Sequence, residues 1–314
     1  MTLMTAAANR CTDPTASKLS GLRLVAFSVL AVTVGGCATA PKVVLPPVSP
    51  TPTNDHQVGK VVWRDLLTQD LSGVKRFYGE LFGWQFQEDT ENETYTAISH
   101  DGRVIGGVVY TKPGANAPNR SQWVSYLSVS DVDRAVQQVR EAGGVVHTEP
   151  IDFPDRGRIA VVSDPQGALI ALVRSTNGDP PDRDPPLNEW MWTELWTTDV
   201  QAAGEFYNEL VGYEFDSREL YEETTYHLFQ RDGKPRAGVI EIKWEDIPPN
   251  WLTYVRVEDP AAIAARVESL GGHVFLEPDD NIRNGDVAII VDPSGAAITV
   301  QRWPPRSEEG GDVR

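Results

Sequence analysis

Hydrophobic and polar positions along the chain fall into one pattern that occurs four times. Val61–Thr68 is apolar-rich and predicts a strand. After it, Leu71, Val74, Phe77, Tyr78, Leu81 and Phe82 recur at helical spacing, predicting a helix over Leu71–Phe82 that Gly83 stops. Three short strands follow, near Trp84–Gln87, Tyr95–Ser99 and Val104–Tyr110, with a turn at Asp101-Gly102. The order strand, helix, three strands then returns as Trp123–Val129, Val132–Ala142, Val145–Thr148, Arg158–Val162 and Leu169–Arg174. It returns again as Met191–Thr197, Gln201–Leu210, Tyr213–Ser217, Thr225–Gln230 and Ala237–Ile242. The fourth copy is Trp251–Val257, Pro260–Leu270, His273–Leu276, Val287–Val291 and Ala297–Arg302. The expected class is α+β, built from four βαβββ modules.

The modules come in two pairs. Trp63-Arg-Asp-Leu-Leu-Thr-Gln-Asp70 and Phe77-Tyr-Gly-Glu-Leu-Phe-Gly-Trp84 reappear as Trp192-Thr-Glu-Leu-Trp-Thr-Thr-Asp199 and Phe206-Tyr-Asn-Glu-Leu-Val-Gly-Tyr213. Asp164-Pro-Gln-Gly167 reappears as Asp292-Pro-Ser-Gly295. A period this long means duplicated domains, since solenoid repeats run to roughly 20–50 residues. The expected domains are 61–174 and 190–303, each large enough for its own core. Between them, 175–189 reads as an acidic, proline-rich linker, and 304–314 as a polar tail.

The N-terminus reads as export rather than fold. Arg10, Lys18 and Arg23 precede a short apolar run, Leu24–Val34, too short to span a bilayer as a stable helix. Val34-Gly-Gly-Cys37 resembles the lipobox of bacterial lipoproteins. That resemblance implies removal of residues 1–36, acylation (palmitate-type) of Cys37, and anchoring in the cell envelope. In a Gram-negative host, Ala38 after the cysteine favours the outer membrane. Residues 37–60 are proline-rich without apolar periodicity and read as an extended tether. The remaining cysteine, Cys11, lies in the removed segment, so disulfides, zinc–thiolate sites and a cysteine nucleophile are excluded. The formal charge is −17; removing residues 1–36, which carry a net +2, leaves −19. Such a chain should not bind nucleic acid or an anionic lipid surface by charge.

Paired βαβββ modules, the Asp-opened helices ending in Phe-Tyr…Gly, and the late Asp-Pro-x-Gly resemble the vicinal oxygen chelate superfamily, which includes glyoxalase I, extradiol dioxygenases and bleomycin-resistance proteins. The start of each domain is similar to the glyoxalase-like subgroup found as tandem domains in bacteria. The resemblance implies that two modules form one cupped mixed sheet around a pocket. It also implies metal-ligand positions, which fall on Trp63, Tyr110, Val124 and Ala171 in the first domain and on Trp192, Glu241, Leu252 and Thr299 in the second. One carboxylate among eight does not make a catalytic metal site, which usually has three protein ligands. No cofactor is therefore expected; a divalent metal is not supported by these positions.

Other polar groups attract attention by alternation. Asp65 shares a strand face with Trp63, and Glu194 with Trp192. Each acid is either a ligand acceptor or general base, or a structural carboxylate bonded to backbone amides or an arginine. The strongest acid pair is Glu194 with Glu241. Candidate ligand-binding residues are Trp63, Asp65, Tyr110, Trp192, Glu194, Glu241 and Thr299; the candidate catalytic residues are Glu194 and Glu241. The five histidines are scattered and read as exposed or strand-capping. Most of the nine tryptophans read as core. An aromatic cup with one or two acids suits a flat, neutral or cationic small organic molecule. The leading expectation is a metal-free, ligand-binding, lipid-anchored protein, monomer or homodimer. Its alternatives are a lyase or dioxygenase with a displaced site in the second domain, and a structural or interaction module.

Overall fold

The computed structural model describes residues 44–88, 94–111, 121–221, 224–242 and 246–304. The expected export signal, Cys37, Trp244 and the tail beyond Pro304 lie outside the described residues. No described helix is long and apolar enough to cross a membrane.

The first module consists of β1 (Val61–Thr68), α1 (Leu71–Phe82), β2 (Gln85–Glu88), β3 (Tyr95–His100) and β4 (Arg103–Tyr110). The second is β5 (Gln122–Ser128), α2 (Val132–Glu141), β6 (Val145–Phe153), β7 (Gly157–Ser163) and β8 (Leu169–Ser175). The third is β9 (Trp190–Thr197), α3 (Val200–Val211), β10 (Glu214–Tyr221), β11 (Thr224–Arg231) and β12 (Lys234–Glu241). The fourth is β13 (Asn250–Val257), α4 (Pro260–Val267), β14 (His273–Leu276), β15 (Val287–Val291) and β16 (Ala297–Arg302). Each domain is one mixed eight-stranded sheet, ordered β2-β3-β4-β1-β5-β8-β7-β6 and β10-β11-β12-β9-β13-β16-β15-β14. The antiparallel pairs β1–β5 and β9–β13 join the two modules at each centre.

Local chemistry explains the recurrence. All four described α-helices start at an aspartate, Asp70, Asp131, Asp199 or Asp259, whose carboxylate accepts from a first-turn N–H. Helices α1 and α3 end at Gly83 and Gly212 in the left-handed region. Several elements differ from expectation at their ends: β10 runs on to Tyr221, and β12 already starts at Lys234. The helix predicted to reach Leu270 ends at Val267 and tightens into a 3-10 turn, Glu268–Leu270. Strand β6 continues to Phe153, because Ile151, Asp152 and Phe153 keep pairing with Ile159, Arg158 and Gly157 of β7 at the sheet edge.

The helix-bearing faces of the two sheets pack on each other, and the cores are shared crosswise. One cluster joins Phe77, Tyr78 and Leu81 of module one to Val267, Ile290 and Val300 of module four. Another joins Val132, Val139 and Leu172 of module two to Phe206, Tyr207 and Val239 of module three. At each centre stands a buried polar clamp. The Tyr78 hydroxyl donates to Asp292 (3.0 Å) and accepts from the Trp123 indole (3.0 Å). Its counterpart, Tyr207, donates to Asp164 (3.1 Å) and accepts from Trp251 (2.9 Å). Each aspartate also gathers backbone N–H groups of its own Asp-Pro-x-Gly turn. Burial raises both aspartates, against the pull of those hydrogen bonds. Trp190 crosses over to sit 4.9 Å from Trp84 and 5.0 Å from Trp123, ring centre to ring centre.

The linker and tether lie against the domains. Asp179, fully buried, accepts from Ser128, Ser175 and the Gln57 amide. Asp182 meets Lys60, Lys234 and Arg236, and buried Glu189 meets Arg103 and Arg183. Within the expected tether, Leu45 and Val48 lie buried against the first domain, where they cover a sheet face.

Replacing Tyr78 or Tyr207 with Phe strips partners from a buried carboxylate and a buried indole at once. Each variant should lose about 1–3 kcal/mol in urea unfolding. The two losses should add, because the clamps share no residue.

Candidate functional site

The faces turned away from the other domain form two cups, each centred on a carboxylate. Their apolar walls belong to separate clusters, one of domain one with its tether and one of domain two. In cup one, Asp65 on β1 accepts from the Trp63 indole (2.7 Å), Tyr95 (2.9 Å) and Tyr126 (2.7 Å). The Arg156 guanidinium lies 3.8 Å from Asp65, donates to Tyr95 (3.1 Å), and stacks 4.0 Å over Trp63. In cup two, Glu194 on β9 accepts from Tyr226 (2.6 Å), Arg283 (2.7 Å) and Tyr254. The Trp192 indole donates to Tyr226 at 3.0 Å. Residue for residue the cups match: Trp63 with Trp192, Asp65 with Glu194, Tyr95 with Tyr226, Tyr126 with Tyr254, Arg156 with Arg283.

Register makes room for the tyrosines. Asp65 pairs with Gly107 and Glu194 with Gly238. A Cβ on either glycine would lie 2.0 Å from the Tyr95 or Tyr226 hydroxyl oxygen. Burial, then the neighbouring carboxylate, pushes the Tyr95, Tyr126, Tyr226 and Tyr254 hydroxyls well above their ordinary pKa, so they remain donors. Burial alone would lower Arg156 and Arg283, but the carboxylates and tyrosines around them outweigh it and hold both charged. Asp65 and Glu194 thus each stand between two tyrosine donors and an arginine, the arrangement that the structural reading describes.

The same register separates other expected partners. Tyr110 pairs with Thr68 and Glu241 with Thr197, three positions beyond the cup-facing glycines and so on the opposite face. Tyr110 is half-buried there and Glu241 exposed. Glu194 and Glu241 therefore do not meet as an acid pair. Val124 and Ala171 do line cup one, and Leu252 lines cup two. Thr299 faces cup two beside Tyr254 and Ile289. The histidines are elsewhere: His56 contacts Ser175, His100 Glu189, His147 Ser163 and His227 Ser217, while His273 is exposed.

The cups do not fit the metal that the fold implies. Each offers one carboxylate, already engaged by tyrosine donors and a guanidinium, which repels a cation. Among the described residues no three His, Cys, Asp or Glu side chains cluster as metal ligands.

The matched cups differ at the mouth. Cup one is sealed: Leu45, Val48 and Ser49 of the tether are buried against it, and Arg156 donates to the Pro46 carbonyl. The Arg156 side chain is 0% exposed. In cup two the Arg283 side chain is 22% exposed, and Trp192 is half-buried. The segment preceding β9 runs to Arg256 and Arg103 instead of over the cup. Cup two is also more polar: Thr299 and Gln301 stand where cup one has Ala171 and Val173. Arg156→Met should cost about 3–5 kcal/mol in urea unfolding, since it strands a buried charge. Arg283→Met should cost less, because water reaches its site.

Known proteins bear the same stamp. The sequence profile of the Glyoxalase/Bleomycin resistance protein/Dioxygenase superfamily matches residues 57–172. The candidate glyoxylase CFP32 of Mycobacterium tuberculosis is 29% identical over 81% of this chain and 98% of its own length. The anthracycline biosynthesis protein DnrV of Streptomyces peucetius is 31% identical over 77% of this chain and 92% of its own. A Mn(II)-bound glyoxalase from Novosphingobium aromaticivorans superposes with TM-score 0.53 at 16% identity, covering 78% of this chain and 82% of that one. Homoprotocatechuate 2,3-dioxygenase from Arthrobacter globiformis gives 0.53 at 15% identity, over 82% and 83%. With four βαβββ modules, two cupped sheets and these relatives, the chain belongs to the glyoxalase/bleomycin resistance/dioxygenase (vicinal oxygen chelate) superfamily.

Proposed function

We propose that this protein binds a small planar organic molecule in the cup of domain two, without a resident metal, while cup one is a structural copy of the same site. The observation that carries the reading is the asymmetry of two otherwise matched cups. One is sealed by the chain's own residues 45–49; the other keeps Trp192 half-buried, part of Arg283 exposed, and two added polar side chains. Glu194 has its oxygens engaged by two tyrosines and an arginine, which favours binding over proton transfer. The match to proteins of anthracycline biosynthesis supports a flat aromatic ligand. A second reading, an interaction module, draws support from the extent to which side chains fill both cups.

The location belongs to the same proposal: a lipid anchor on Cys37 holds the domains at the cell envelope. The motif Val34-Gly-Gly-Cys37 supports it. Cys37→Ala should move the protein from the membrane fraction to the soluble fraction, and the wild-type N-terminal peptide should carry acyl mass; an unacylated wild-type cysteine sinks the anchor.

For the ligand site, small planar aromatic compounds should quench tryptophan fluorescence saturably at one per chain. Trp192→Ala should weaken that binding at least tenfold, and EDTA should leave both binding and Tm unchanged. Saturable quenching that survives Trp192→Ala places the site elsewhere, and a compound set that never saturates favours the interaction module.

A further inference from the structure

The loop that carries Arg283 is built differently from its counterpart in domain one. Arg283, Asn284 and Gly285 all adopt left-handed backbone, with φ of 50°, 54° and 71°. Two of the three carry side chains, which disfavour that region. Arg156 instead precedes a single left-handed residue, Gly157, and lies beneath the tether. Arg283 has no such cover and sits at the rim of its cup, 22% exposed.

Cup two also holds an unused polar group. Thr299 is fully buried, faces the cup beside Tyr254, and its hydroxyl has no hydrogen-bond partner. A sealed hydroxyl without a partner is unfavourable and asks for an explanation. The corresponding position in the sealed cup is Ala171, which makes no such demand.

We propose that cup two is a binding site for a planar organic cation, an amidinium or guanidinium, and that Arg283 is its built-in occupant, displaced when the ligand enters. This rests on the assignment of cup two as the binding cup. The contacts that hold the Arg283 guanidinium are those a free planar cation would use. They are a Glu194 oxygen at 2.7 Å, the Tyr226 and Tyr254 rings at 5.4 and 5.8 Å, and the Gln301 side-chain Oε1 at 3.3 Å. Charge decides the ligand class. A cation replacing Arg283 leaves buried Glu194 compensated, whereas a neutral molecule strands it and an anion adds a second negative charge. The displaced arginine swings on its left-handed loop into water. Thr299 then lies on the wall that the ligand covers and gains a partner. Cup one cannot exchange in this way, because Arg156 is wholly buried and tied to Pro46.

The test is calorimetric titration of the full chain with benzamidine and with benzamide, which share a shape and differ in charge. Benzamidine should bind at one per chain, at least tenfold tighter than benzamide. Arg283→Ala should tighten benzamidine tenfold or more, because the internal competitor is gone. Glu194→Gln in the Arg283→Ala background should abolish the preference for the cation; circular dichroism and Tm report whether each variant folds. Should the double variant not fold, Tyr226→Phe in the same background serves as the milder probe and should weaken benzamidine selectively. Equal binding of both compounds overturns the cation assignment and leaves cup two a binding cup. Binding to Arg283→Ala but not to wild type makes Arg283 a permanent plug and overturns the displacement. Binding to neither removes the proposal together with the reading of cup two.

Discussion

A carboxylate at the centre of a sheet, walled by aromatic side chains, is stable only if every oxygen finds a donor and its charge a counterion. Both domains meet this requirement in the same way. Two tyrosine hydroxyls and one arginine converge on Asp65 and on Glu194. Gly107 and Gly238 are glycines because a tyrosine hydroxyl occupies the space where a Cβ would be. A tryptophan stands beside each acid: Trp63 donates to Asp65 and lies against Arg156, and Trp192 donates to Tyr226, which donates in turn to Glu194. In both cups an internal ion pair organises the aromatic side chains around it.

The recurring sequence motifs work between domains more than within them. The tyrosine of Phe77-Tyr78 reaches the aspartate of Asp292-Pro-Ser-Gly295, and that of Phe206-Tyr207 reaches Asp164-Pro-Gln-Gly167. A tryptophan that opens β5 or β13 completes each clamp. Arg64, buried where the sheets meet, has no carboxylate beside it among the described residues. Burial pushes it down to about 9, still high enough to hold its charge, and it lies over Trp190 with the Thr253 hydroxyl as acceptor. Together these contacts fix the angle between the domains and turn the cups to opposite sides.

The modules, their order and their pairing into two sheets were legible because apolar periodicity and Asp and Gly signals act locally. The acids were legible too: alternation from Trp63 and Trp192 pointed to Asp65 and Glu194. Their partners were not, because Arg156 and Arg283 come from loops about ninety residues further along the chain, and no local pattern marks them. A signal was available in the repeats, where Tyr126 and Tyr254 each follow the matched tryptophan by three positions and an arginine precedes Gly157 and Asn284-Gly285. Tyr110 and Glu241 were misplaced by position counting, which misses the parity that strand register sets. The sealing of cup one by Leu45 and Val48 was hidden by composition: a proline-rich stretch reads as tether until an apolar face is there to receive it.

The crosswise core has a consequence for how the protein comes into being. Tyr78 waits for Asp292, so the hydrophobic face of the first module finds its cover only when nearly the last strand exists. Contacts so distant in sequence make for slow, cooperative assembly, because loop closure precedes the reward. Neither domain completes its surface while the other is still being made. A chain of this design stays open during synthesis and closes as a single unit once both halves exist.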